Sequence, residues 1–215
     1  MTISTVTLLA GKRRGGASNG SSFGIEANEL NEMLVSMGLP PGAESTRKGK
    51  RWATMSTSAV AGLVVRPSTV AAFEIYNGYA AGGKSLIIER LFWHQLVSVT
   101  GVAEAFVGYA QVTAAKAAPT DGSFAVRGAA GAAYAGSVIA AAGTTVIASG
   151  WFPWAVNPGH AAITGVAGGF GAIGEVGGRL IVPPGASLCL HALANTVGQT
   201  FTQGAEWVEE VLTNE

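Results

Sequence analysis

The stretch Asn77–Leu86, NGYAAGGKSL, contains Gly-Tyr-Ala-Ala-Gly-Gly-Lys-Ser, which matches the Gly-x-x-x-x-Gly-Lys-Ser/Thr pattern of phosphate-binding loops. In such a loop, backbone N–H groups at a helix N-terminus cradle the phosphates and the lysine reaches the outer ones. That chemistry needs a buried strand before the loop, a helix after it, and an acid at the end of an apolar strand to hold magnesium. AAFEIYN can supply the strand, but SLIIERLFWHQLVSV, which follows, reads as either helix or strand. The only aspartate, Asp121, lies in AAPTDGS with no apolar strand before it. These residues favour a glycine turn joining strands near 71–77 and 85–99, with Lys84 solvated at its edge. A nucleotide-binding enzyme using Lys84 is the alternative from another class.

Other chemistry-bearing residues are sparse. GFGAIG (Gly169 to Gly174) fits the dinucleotide pattern but leads into EVGGRLIVPPG, which is strand-like. GASNG (Gly16 to Gly20) fits a nucleophile elbow, but GKRRG replaces the buried strand that an elbow requires. His94, His160 and His191 have no metal-ligand spacing among themselves. Cys189 and His191 share a strand face at i and i+2, and are read as a buried cysteine and a partly buried histidine. Glu74, Glu89, Glu104 and Glu175 are isolated in sequence, and Glu206, Glu209 and Glu210 read as a solvated edge. No catalytic, cofactor-binding or metal-binding residue is assigned, and no cofactor is expected.

The elements around these residues are mostly short strands. TVAAFEIYN and VAEAFVGYAQVTAA alternate, and SVIAAAGTTVIASG, GGRLIVPPG, ASLCLHALAN and TFTQGAEWVEEVL follow at turn-punctuated intervals. About eight strands with Gly and Pro turns predict a sandwich or jelly roll. Gly128 to Phe152 carries no charge, yet its Ala, Gly, Ser and Thr suit packed strands better than a membrane span.

Residues 1–50 differ in texture. GKRRGGASNGSS is polar and glycine-rich, and ESTRKGKRW reads as a linker. Between them, Ile25, Leu30, Met33, Leu34 and Met37 fall roughly on one helical face, predicting a short helix near 26–37 that ends at Gly38 and Pro40-Pro41, with Leu30, Met33, Leu34 and Met37 as its anchor residues. Seven Lys or Arg and four Glu give residues 1–51 a net charge of +3, against −3 for the rest. A basic arm of this kind is expected to dock on neighbouring subunits; nucleic acid is not an expected partner, since aromatics are not interleaved with the bases. The opening MTISTVTLLAGKRR places its charges after the apolar residues, the reverse of a signal peptide, so synthesis in the cytoplasm is expected.

Only 12% of the 215 residues are charged, 48% are hydrophobic, and 31 are glycine. A surface with so little charge suits a chain largely covered by neighbours.

GGRLIVPPGASLCLHALANTVGQTFTQGAEWVEE resembles the closing strands of jelly-roll structural proteins of tailed-bacteriophage virions: a strand, a Pro-Pro-Gly-Ala turn, an alternating strand, then a last strand ending in an aromatic and acids, here Trp207 and Glu209. GGKSLIIERLFWHQLVSV is similar to an early strand of such proteins. The resemblance covers roughly residues 52–211. It implies a capsid decoration, cement, tail or fibre component that assembles as a trimer with other virion proteins.

The expected molecule is therefore all-β: a jelly-roll-type β-sandwich over 51–215, with an extended N-terminal arm over 1–50 containing the short helix. The expected function is a non-enzymatic structural part of a phage virion, made in the host cytoplasm and anchored to its neighbours by Leu30, Met33, Leu34 and Met37. A carbohydrate- or receptor-binding module of the same fold, using Trp151 and Trp154 as surface platforms, is the second reading.

Overall fold

The computed structural model describes residues 8–9, 22–23, 42–99, 103–113, 119, 124–145, 150–160 and 170–212. The chain divides into two compact units, Met1–Pro40 and Pro41–Glu215. In the first, β1 (Leu8–Leu9) pairs antiparallel with β2 (Ser22–Phe23), Leu8 opposite Phe23. The helix expected near 26–37, with Leu30, Met33, Leu34 and Met37, lies outside the described residues.

The second unit opens with a one-turn helix, α1 (Ala43–Arg47), inside a stretch expected to be linker. Local polar contacts hold it. Glu44 pairs with Arg47 at 2.7 Å and Lys48 at 2.9 Å, and Ser45 Oγ donates to the Gly42 carbonyl at 2.8 Å. No residue of α1 is buried, so it carries no apolar periodicity that the sequence could display.

Strands follow in chain order: β3 (Arg51–Met55), β4 (Val60–Ala61), β5 (Val70–Asn77), β6 (Lys84–Val97), β7 (Glu104–Thr113), β8 (Arg127–Gly128), β9 (Val138–Thr145), β10 (Phe152–His160), β11 (Phe170–Val182), β12 (Ser187–Ala194) and β13 (Thr200–Val211). They form a five-stranded sheet, β10-β7-β12-β5-β9, and a six-stranded sheet in which β11-β6-β13-β3-β8 run side by side and β4 pairs with β13. Four antiparallel pairs nest inside one another: β7 with β10, β6 with β11, β5 with β12 and β3 with β13. A long antiparallel ribbon is thus wound into two layers, and successive strands of the ribbon alternate between sheets. That winding is the jelly roll. The inserted strands β8 and β9 extend the outer edges of the two sheets beside β3 and β5.

Strand β6 shows why its sequence was ambiguous. Its register slips at Glu89, which is left as an extra residue between Ile88, opposite Trp207, and Arg90, opposite Glu206. The bulge turns Leu86, Ile88, Leu91 and Trp93 all into the core, so an i, i+3 step appears inside a strand and imitates a helical stripe.

The core lies between the sheets: Phe73 and Ile75 of β5, Leu188 and Leu190 of β12, Phe106 of β7, and Phe201 and Trp207 of β13 meet the β6 residues. Phe106 and Phe201 pack edge to face, with ring centroids 4.8 Å apart. Trp93 lies against Gly108, where an added Cβ would come within 2.3 Å of the indole. Its Nε1–H donates to the His191 carbonyl at 3.1 Å.

Candidate functional site

The lysine that completed the phosphate-loop pattern begins strand β6, and no helix starts there. Residues 78–83 form the corner by which the chain crosses from β5 in one sheet to β6 in the other. Asn77 pins that corner. Its buried Nδ2 donates to the carbonyls of Lys84 and Val182, both at 2.9 Å, and its Oδ1 accepts the Tyr79 N–H at 3.2 Å. Every polar group of Asn77 is thus committed to joining two corners, since Val182 precedes the Pro183-Pro184-Gly185 turn. The expected glycine turn between two strands is present.

Lys84 is not simply solvated. Its ammonium meets the Glu209 carboxylate at 3.1 Å. Glu209 is buried and also accepts the hydroxyls of Tyr79 at 2.9 Å and Tyr134 at 2.7 Å. Burial alone would lower the Lys84 pKa, but the hydrogen bond and charge of Glu209, with the Tyr79 contact, outweigh it and raise it. Burial, then the bonds to Tyr79 and Glu209, raise the Tyr134 pKa as well. The acids near the end of β13 are therefore not a solvated edge. Glu209 is an interior acceptor, Glu206 pairs with Arg51 at 2.7 Å, and Glu210 pairs with Lys50 at 2.9 Å.

The acids that looked isolated have structural partners too. Glu74 is fully buried and accepts the Ser187 hydroxyl. Glu104 is buried and accepts from the Gln95 side-chain amide and the Val99 N–H, closing the β6–β7 connection. Glu175 bonds Arg90 at 3.1 Å. Among the described residues, no three His, Cys, Asp or Glu side chains converge as a metal site. Cys189 is buried, as expected, and His191 is more deeply buried than expected. Burial lowers the His191 pKa, and its Nδ1 accepts the Ala192 N–H at 2.9 Å, as a neutral imidazole can. Phe170 to Gly174, within the Gly-x-Gly-x-x-Gly pattern, belong to β11, a strand and not a helix.

Trp151 cannot be a surface platform. It is 1% exposed, packs on Ala71, Cys189 and Tyr109, and donates its Nε1–H to the Ser68 carbonyl at 2.9 Å. Trp154 is half-buried against the core, with the Arg179 guanidinium 5.3 Å from its ring.

The surface features that stand out are apolar. Phe152 and Val156 of β10 are 64% and 62% exposed, and Ile173 of β11 is 61% exposed. These edge strands of the two sheets meet along one side, where Asn157 Nδ2 donates to the Gly171 carbonyl at 3.4 Å. Around the corner, on the outward face of the six-stranded sheet, lies a groove of about 590 Å³. Its walls include Ala53 and Met55 of β3, Phe92 and His94 of β6, Ile173 of β11 and Arg127 of β8. Met55, Gly204, Phe92 and Ile173 form one cross-strand row. Gly204 carries no side chain between Met55 and Phe92, and an added Cβ would come within 2.4 Å of the Thr54 carbonyl oxygen. Beside the groove the same face carries ion pairs, Arg51 with Glu206 and Arg90 with Glu175. Reading the sequence missed this groove; a glycine within the apolar strand TFTQGAEWVEEV was its only trace.

Among the described residues no helix is long and apolar enough to cross a membrane. No family model, no curated protein and no solved structure matches this chain.

Proposed function

We propose that this chain is a non-enzymatic structural component of a bacteriophage virion, a decoration, cement or related head or tail protein. It works by contacts between copies of itself, as a homotrimer, and with other particle proteins. The observation that carries this reading is the pairing of a completed core with uncovered apolar surface. Phe152, Val156 and Ile173 are each more than 60% exposed in a chain with 12% charged residues, while the sandwich interior is filled without them. Covering such a surface is favourable by about 25 cal/mol per Å² of apolar area. The buried partners found for Glu74, Glu104 and Glu209 support the non-enzymatic part, because each carboxylate is used to hold strands or corners.

Sedimentation equilibrium of the purified chain tests it. The expected result is a trimer, shifted toward monomer by Val156→Asp or Phe152→Asp with the β-sheet circular dichroism unchanged. A parent chain that remains monomeric at the highest attainable concentration overturns the assembly reading.

A further inference from the structure

We infer that the groove on the outward face of the six-stranded sheet receives residues 26–37 of a second copy of this chain. This rests on the assembly reading above and names the surface that receives the arm. Three observations carry it.

Length comes first. The groove crosses five neighbouring strands, from Arg127 on β8 through β3, β13 and β6 to Ile173 on β11. Four inter-strand spacings make about 19 Å. The twelve residues 26–37, whose spacing predicts a helix, would span about 18 Å. So short a helix is marginal in water by itself and needs an apolar surface for Leu30, Met33, Leu34 and Met37.

Charge comes second. Glu89, Glu175 and Glu206 on this face are paired with Arg51 or Arg90. Arg127, exposed at the β8 end, has no ion pair among the described residues. Glu26 lies in line with the apolar stripe at its N-terminal end, four residues before Leu30. Placing Glu26 at Arg127 sets the direction of the helix and brings Met37 to Ile173.

The third is the tether. Gly42 sits against the Arg51 guanidinium, at the ion-paired end of this same face. Only Gly38-Leu39-Pro40-Pro41 separates it from Met37 in sequence, and two prolines restrict the backbone of so short a connection.

The test uses full-length chains. Isotope-labelled Met37→Cys chains are mixed with unlabelled Ile173→Cys chains, assembled, oxidised, and weighed by mass spectrometry. Ile173 is exposed, so its replacement leaves the fold intact, and Cys189 is too buried to compete. The expected product is a disulfide between a labelled and an unlabelled chain, while Met37→Cys with Arg127→Cys gives none. Arg127→Glu should weaken association at least about fivefold, and mixing it with Glu26→Arg chains should restore it. Oligomers that sediment normally but form no such cross-link overturn the docking and leave the assembly reading standing. A double-cysteine chain that closes only on itself overturns docking on a second copy. Chains that never associate overturn both readings.

Discussion

The two sheets of this sandwich treat their outward faces differently. On the five-stranded sheet, Gln111, Cys189 and Glu74 lie side by side across β7, β12 and β5, and all three are buried. Trp151 covers this row and is itself tied to Ser68 and, through its carbonyl, to Arg66. On the six-stranded sheet the corresponding surface holds the half-buried Phe92 and His94, the exposed Met55 and Ile173, and a groove. Over β7, β12 and β5 one layer is closed by its own chain, while its edge strand β10 carries exposed apolar residues; the other is left open across its centre. Strand β12 accordingly reads as buried nearly throughout, whereas β11 alternates between buried and exposed. A sheet that has both faces covered supplies rigidity, and a sheet with one open face supplies a surface.

The contrast should break hardest at Trp151. Trp151→Ala removes the cover of the closed face and should cost about 3–5 kcal/mol in urea unfolding. A loss near zero would mean that this face is not closed by the tryptophan. Glu209→Gln comes next. It leaves Lys84, Tyr79 and Tyr134 facing a weaker acceptor, and a loss of about 1.5–3 kcal/mol is expected from the same measurement.

Acid should separate the faces further. The buried His191 has a folded-state pKa below its ordinary 6.5, so the unfolded chain binds that proton more readily. Its contribution to stability is complete above pH 6.5 and is lost as pH falls from there toward the folded value. The slope it adds is at most about 1.4 kcal/mol per pH unit, and His191→Gln should remove it from a series of unfolding curves. Glu44 acts lower. Hydrogen bonds from Arg47 and then Lys48 hold its carboxyl at about 2, below its ordinary 4.5, so α1 should fray only as pH falls through that range. The smallest effect belongs to the open face: Phe92→Ala should cost under about 1.5 kcal/mol in the isolated chain. A loss as large as that of Trp151→Ala would make Phe92 a core residue and erase the distinction.

Much of the architecture could be read from the chain, because alternation is local. TVAAFEIYN became β5 and VAEAFVGYAQVT became β7, and Pro183-Pro184-Gly185 makes the turn into β12. The candidate surface could not be read, because it is a property of neighbours distant in sequence. Gly204 is an unremarkable glycine until β13 places it between Met55 and Phe92. Glu74 and Glu104 looked isolated and Glu209 looked solvated because their partners Ser187, Gln95, Tyr79 and Tyr134 lie on other strands or loops. Trp151 reverses the case: expected as a surface platform together with Trp154, it is buried, while its neighbour Phe152 is exposed.

The nested ribbon also sets an order in time. Trp52, on the first long strand of the sandwich, pairs with Trp207 on the last, and β13 lies between β3 and β6. Until β13 emerges from the ribosome and inserts, β3 has no neighbour on that side and the row containing Gly204 does not exist. Pairings so distant in sequence form late. A truncated or half-translated chain therefore lacks the groove altogether, and only finished molecules can present it to one another.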